Sequence, residues 1–452
     1  MLKKKQVIKG TVAYIDEMGN GVIKYREDTV LVRGVLPQEE IRVEIVKRLQ
    51  QGYVGNVLEI LKPSEHRCKP KCSIYAKCGS CQLMHRKQSN QAQYKKEQVL
   101  ELCKKQHVSI PVEDVLCDSN PYHYRNKMII GFQKGRDKRI KAGFYEEFSH
   151  RIIPYEACLL HPKECDDIVQ TIVSLIQKLA IEIYDEDRRT GLLRHVLIRY
   201  GKVTKQIMVV FVVSSNVFPA RRRLVEELLK AHSNITTIVQ NVNSRKTSIV
   251  LGNEERVLYG KGYIEDILCG LRFKISCKSF YQINHDQCEV LYTKALDKLM
   301  LTGNEVVLDA YCGIGTIGMC VASKVKQVIG IELNKDAVKD AIQNAKLNRI
   351  RNIRFLCDDA GNFMSQLAKA RQALDVLIMD PPRSGSSQEF LSSAARLRVP
   401  KILYISCNPN TQIRDIRMLQ KLGYRVEGSM TLVDMFPFTN NVESIVLLQR
   451  MK

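Results

Sequence analysis

Several things are missing from this sequence, and each absence narrows the choice. No apolar run reaches membrane-spanning length, although hydrophobic residues make up 45% of the 452 positions, so a membrane protein is not expected. The opening MLKKKQVIKG is basic with no apolar stretch behind it, which argues against a signal peptide and for a cytoplasmic protein. There is no internal repeat and no low-complexity tract, which sets aside solenoids and tail-like segments. Acidic residues are scarce beside basic ones: 48 Asp and Glu against 70 Lys and Arg, for a formal net charge of +22. An excess this large points to a polyanionic partner, nucleic acid above all. With no secretory signal, the 15 cysteines are not a disulfide framework, and most are expected to be small core residues.

Three parts are expected. Residues 1–62 alternate short strands with Gly/Asn turns, as in "VIKGTVAYID" and Met18-Gly19-Asn20-Gly21, which predicts a small β-barrel. Residues 63–275 hold a cysteine cluster, a helical stretch "NQAQYKKEQVLELCKKQ" and then mixed strands and helices, a central α/β unit. In this unit Arg125 and Lys127 stand as an RNA-facing pair or a solvated one. Residues 276–452 repeat strand, turn and helix, the pattern of a doubly wound parallel sheet with a Rossmann-like fold.

The segment "EVVLDAYCGIGTIGMCVA" carries G-x-G-x-x-G at Gly313, Gly315 and Gly318 between a strand and a helix. A pyrophosphate would sit badly beside Asp309, which ends the strand only four residues before the first glycine. A cationic, phosphate-free ligand suits that carboxylate, and S-adenosylmethionine has an amino group and a sulfonium. Glu332 ends the next strand, placed for ribose hydroxyls. Asp358 and Asp359 follow a third strand, and Asp380-Pro381-Pro382-Arg383 makes a rigid turn after a fourth. An aromatic in place of Arg383 would suit methylation of an exocyclic amine, so that chemistry is not expected.

Cys407, in "ILYISCNPNT", ends the following strand, where doubly wound sheets keep their ligands. A thiol there is either a buried small residue or a nucleophile. A nucleophile is needed when the methyl acceptor is an inert carbon: carbon 5 of uracil becomes reactive once a thiolate has added to carbon 6. Glu443 enters an apolar strand near the C-terminus and is either the proton-abstracting base or a solvated edge residue. In the cysteine cluster, Cys72, Cys78 and Cys81, with Cys68 upstream, suit a tetrahedral zinc site or three ligands of an iron–sulfur cluster, and spacing does not choose.

"FYQIN", "LDAYCGIG", "MDPPR", "ISCNP" and "NVESIVLL" occur in the order seen in RNA uracil-5-methyltransferases. With the barrel and cysteines, the chain resembles the bacterial 23S rRNA branch of that family over nearly its whole length. The resemblance implies Cys407 as nucleophile, Glu443 as base, and donor binding by Gln282, Tyr311, Glu332 and Asp380. It implies a TRAM-type, OB-like RNA-binding barrel and a 4Fe-4S cluster on Cys72, Cys78, Cys81 and Cys158. Unpaired or loop uridines of 23S rRNA are the expected target, since the base must leave its stack; no protein partner is expected. The same chemistry on tRNA is the nearest alternative. An NAD-dependent oxidoreductase and a non-enzymatic RNA assembly protein are rivals from other classes.

Overall fold

Short strands with one apolar face need partners on both edges, and in the computed structural model those of the N-terminal region close on one another. The structure describes residues 1–16, 18–146, 150–247 and 249–451. Strands β1 (Val7–Ile15), β2 (Gly21–Tyr25), β3 (Asp28–Val32), β4 (Glu40–Leu49) and β5 (Gly52–Lys62) form a closed barrel in the order β1-β2-β3-β5-β4. Antiparallel pairing of β1 with β4, Gly10 opposite Ile41, completes the ring. Alternation sorts the faces: Ile8, Val12, Ile23, Val30, Ile41 and Val43 meet in one buried cluster.

By its contacts the chain divides into two compact units, Met1–Glu97 with Phe436–Asn441, and Gln98–Met435 with Val442–Lys452. Helix α1 (Gln88–Lys105) covers the stretch read as helical, and β6 (Val112–Leu116) follows it.

The second unit contains two large sheets. The first is built from β7 (Lys127–Lys134), β8 (Ile140–Tyr145), β9 (Ile152–Pro154), β10 (Leu193–Tyr200), β11 (Ile207–Val213), β12 (Ile235–Val242) and β13 (Glu254–Tyr259). Helix α2 (Lys163–Lys178) lies between β9 and β10 in sequence, and α3 (Arg221–Ala231) between β11 and β12. The strand order is β13-β12-β11-β10-β7-β8-β9. Its central strands β10 and β11 are buried along their whole length, as the unbroken apolar run of β11 requires; β10 buries Arg194, His195 and Arg199 as well. A hairpin, β14 (Tyr263–Leu268) and β15 (Leu271–Ser276), leads to the second sheet.

That sheet begins after α4 (His285–Leu299) and alternates β16 (Val306–Ala310), α5 (Thr316–Ala322), β17 (Gln327–Glu332), α6 (Lys335–Leu347), β18 (Ile353–Cys357), α7 (Ala360–Ala370), β19 (Val376–Met379), α8 (Gln388–Arg396), β20 (Lys401–Ser406) and α9 (Pro409–Lys421). It ends with β21 (Tyr424–Val433) and β22 (Glu443–Arg450). The order is β18-β17-β16-β19-β20-β22-β21-β6. Five strands, β18 to β20, run parallel, as the strand–helix repeat predicts. The sheet as a whole is mixed, which corrects the expectation of a parallel one. No helix lies between β21 and β22, so the chain cannot cross over, and β22 returns antiparallel to both neighbours. The far edge is supplied by residues 112–116, well before the expected start at 276: β6 pairs parallel with β21. The strand order reverses between β16 and β19, and a doubly wound sheet opens its ligand crevice at such a point.

Candidate active site

The glycine turn follows β16 and is held from within. Asp309 is 1% exposed, and its Oδ2 accepts the Gly318 N–H at 2.8 Å, tying the strand end to α5. Asp309 Oδ1 is buried with no hydrogen-bond partner among the described residues. Burial, with Asp380 and Glu332 nearby, pushes its carboxyl up to about 7. Part of this carboxylate is therefore spent on the backbone, and part is left for a cationic group. Tyr311 takes φ +66°, a conformation L residues avoid, so its ring is aimed by a constrained turn. Gly315 at φ +83° lies against Phe355, where a Cβ would meet the ring at 2.7 Å. Glu332 at the end of β17 accepts the Gly313 N–H at 3.1 Å and the Asn334 N–H at 2.8 Å.

Across the switch point, Asp380 follows β19, and burial raises its carboxyl to about 7. Cys407 follows β20. Asn408 caps α9 by accepting the Asn410 N–H, and Pro409 occupies the first turn, so "SCNP" is a strand end and helix start in four residues. Ser406 pairs with Ser444 across β20 and β22, so Cys407 and Glu443 each lie one residue beyond that pair, at the same end of the two strands. Gln412 fastens the two strands, donating to Tyr404 O at 2.9 Å and accepting from Ser444 Oγ at 2.7 Å.

The Cys407 thiol is half-buried, not lost in packing. Burial and the acids Glu443 and Asp380 push it up to about 11, while a hydrogen bond from the Arg383 side chain opposes them. Glu443 is 2% exposed, with Oε2 unpartnered among the described residues. Burial first and then Asp380 hold its carboxyl well above the usual range, with Arg383 pulling the other way. A thiol, two acids and one guanidinium thus share a single electrostatic neighbourhood. It can add a sulfur nucleophile and remove a proton at one place.

Other expected residues are placed less directly. Gln282 is buried in the segment before α4, and its backbone carbonyl accepts from Asn126 Nδ2 at 2.8 Å. Asp359, after β18, caps α7 by accepting the Asn362 N–H at 3.0 Å. Cys72, Cys78, Cys81 and Cys158 are half-buried. Cys72 sulfur accepts the N–H groups of Ile74 and Tyr75 and lies near Cys78. These soft donors suit zinc or iron by kind, but among the described residues no three Cys, His, Asp or Glu side chains converge to hold a metal ion. Sequence reasoning missed Arg383 as the thiol's partner, because residues 24 apart in sequence carry no periodic signal.

Comparison with known proteins decides what kind of site this is. The chain matches the model of the tRNA (uracil-5-)-methyltransferase family over residues 87–451. It belongs to that family. The family consists of S-adenosylmethionine-dependent RNA methyltransferases acting on carbon 5 of uracil, which sets aside the NAD-dependent reading of the glycine turn. An uncharacterized RNA methyltransferase of Halalkalibacterium halodurans is 36% identical over 451 residues, 99% of this chain and 98% of that protein. One from Staphylococcus aureus is 38% identical over 448 residues, again 99% and 98%. In fold, the chain is similar to Pyrococcus abyssi tRNA (uracil-54, C5)-methyltransferase in complex with S-adenosyl-L-homocysteine. The TM-score is 0.77 at 24% identity, covering 98% of this chain and 100% of that one.

Proposed function

We propose that the protein methylates carbon 5 of uridine in 23S rRNA through a transient bond between Cys407 and carbon 6 of the base. The observation that carries this reading is the gathering of Cys407, Glu443, Asp380 and Arg383 at adjoining strand ends. Asp309 Oδ1, buried without a partner, suits a cationic donor held by Gln282, Tyr311, Glu332 and Asp380. When bound, the donor supplies an electrophilic methyl on a positively charged sulfur.

The Cys407 thiol must first lose its proton, and Arg383 is the neighbouring group whose charge favours the thiolate. Sγ bonds to carbon 6, and the ring's double-bond electrons become an enolate whose carbon 5 takes the methyl as the methyl–sulfur bond breaks, its electron pair leaving on a neutral thioether sulfur. Glu443 then removes the carbon-5 proton; the electrons restore the ring double bond and expel the Cys407 thiolate. Deep burial suits Glu443 to this step, since an acid poised above its ordinary range is a stronger base once ionised. The N-terminal barrel serves as a TRAM-type RNA-binding module, and the net charge of +22 supplies salt-dependent affinity for the backbone. Cys72, Cys78, Cys81 and Cys158 carry a 4Fe-4S cluster in this reading, with a structural and not a chemical part. Protein purified without oxygen should then contain iron and acid-labile sulfide in equal amounts, whereas stoichiometric colourless zinc reverses the assignment.

The tRNA reading has its own support. The Pyrococcus abyssi enzyme aligns with 98% of this chain, so possession of a barrel does not separate rRNA from tRNA enzymes. Mapping 5-methyluridine in both RNAs from a strain lacking the protein decides. Loss from 23S rRNA, restored by the wild type but not by Cys407→Ala, is the expected result. Loss confined to tRNA transfers the substrate, and restoration by Cys407→Ala overturns the covalent route. Glu443→Gln should accumulate a protein–RNA adduct that survives a denaturing gel.

A further inference from the structure

We infer that Asp415 is a positioning residue that ties the donor side of the site to its thiol side through the loop Arg383–Ser386. The inference rests on the proposed roles of Cys407 and Tyr311. Asp415 lies on α9 with its side chain 3% exposed. Its Oδ2 accepts the Ser386 N–H at 2.9 Å and the Tyr404 hydroxyl at 2.7 Å, and its Oδ1 accepts Arg414 Nε at 2.9 Å.

The same helix grips the loop at three more points. Asn408 Nδ2 and Thr411 Oγ1 donate to Arg383 O at 2.9 and 3.2 Å, and the Arg414 guanidinium donates to Ser384 O at 2.9 Å. Gly385 sits at φ +77°, and a Cβ there would come within 2.6 Å of Asp415 Oδ2, so the backbone approaches the carboxylate as closely as glycine permits.

The two ends of this loop face different halves of the chemistry. Arg383 hydrogen-bonds the Cys407 thiol. Ser386 Oγ stands 3.4 Å from the Tyr311 hydroxyl. A cavity of about 500 Å³, lined by Ser384, Ser387, Leu391 and Met418 among others, lies against the loop. The loop borders open space on that side, and the polar tethers hold it. Asparagine can keep two of the three bonds, because its oxygen still accepts from Ser386 and Tyr404 while Arg414 turns toward solvent. Alanine keeps none.

The test uses purified full-length protein without RNA, so it does not depend on which RNA is the substrate. Binding of S-adenosyl-L-homocysteine is measured by calorimetry. Cys407 alkylation by iodoacetamide is followed against pH at the level of its peptide, the facing groups being Glu443, Asp380 and Arg383. Asp415→Ala should weaken homocysteine-nucleoside binding roughly tenfold and slow alkylation at fixed pH roughly tenfold, as a one-unit rise in thiol pKa requires. Asp415→Asn should recover most of both. Ser386→Ala should weaken binding alone. Thr411→Val, which loosens only the Arg383 end, should slow alkylation alone, and it serves if Asp415→Ala fails to fold. A folded Asp415→Ala with both readouts unchanged overturns the inference, as does a variant that only melts earlier. Failure of the covalent reading shows elsewhere, as 5-methyluridine persisting in cells that carry Cys407→Ala.

Discussion

Two buried glutamates, one in the barrel unit and one in the catalytic sheet, show how partners decide what burial does. Glu39 is fully buried, and its carboxylate accepts the Leu36 N–H at 2.8 Å, the Ser64 N–H at 3.1 Å and two bonds from Arg67. Burial alone would raise its pKa, but Arg67 and these N–H groups more than offset that and hold it below the ordinary range. Glu443 is buried to the same degree, has an unpartnered oxygen, and moves the opposite way. A satisfied buried acid contributes to the fold. An unsatisfied one costs stability, and the proposed mechanism gives this one a proton to remove in return. Asp309, with Oδ1 unpartnered among the described residues and its carboxyl raised to about 7, falls on the Glu443 side of this contrast, and Asp380 moves the same way.

Exchanging each carboxylate for an amide should separate the two roles. Glu443→Gln is expected to lower turnover by about 10³-fold, the scale of a lost general base. It should leave stability unchanged or raise it by up to ~1 kcal/mol, because an amide has less to lose by burial. A marked fall in urea midpoint would show Glu443 to be structural after all. Glu39→Gln should do the reverse, costing about 3 kcal/mol because Arg67 loses its counter-charge, with turnover per folded molecule retained. The sign with pH follows from the lowered value of Glu39. Its contribution is complete above the ordinary carboxylate value of 4.5 and is lost as pH falls through the folded one. The stability gap between wild type and Glu39→Gln should therefore close in acid, and a gap that widens there contradicts the partnering.

The same contrast shows what a sequence reveals. The glycine turn and the places of Glu332, Asp380 and Cys407 at strand ends were legible because parallel strands buried on both faces write themselves as apolar runs. Glu443 was half-legible: the apolar strand was visible, but its place at the Cys407 end of β20 depends on β22 entering next to β20. Asp415 left no signal, since its contacts to Ser386 and Tyr404 span 29 and 11 residues and follow from topology. β6 was missed because VEDVL is too short and too polar to announce an edge strand. The cysteine loop could not be resolved by spacing, because loop thiolates at these separations serve zinc and iron alike.

The subtlest effect concerns protons. Without a ligand, Asp309 and Asp380 are held near 7 by burial and stand partly protonated at neutral pH. A positive sulfur nearby favours their charged forms, so binding S-adenosylmethionine should release protons, about one or fewer per site. S-adenosyl-L-homocysteine lacks that charge and should release fewer. Calorimetry in buffers of different ionisation enthalpy reads the difference directly. Release should be greatest near neutral pH and fade above about pH 9, where these acids are already ionised. Equal release by the two ligands would mean that the sulfonium does not reach these acids, and the unpartnered Oδ1 of Asp309 would then need another explanation.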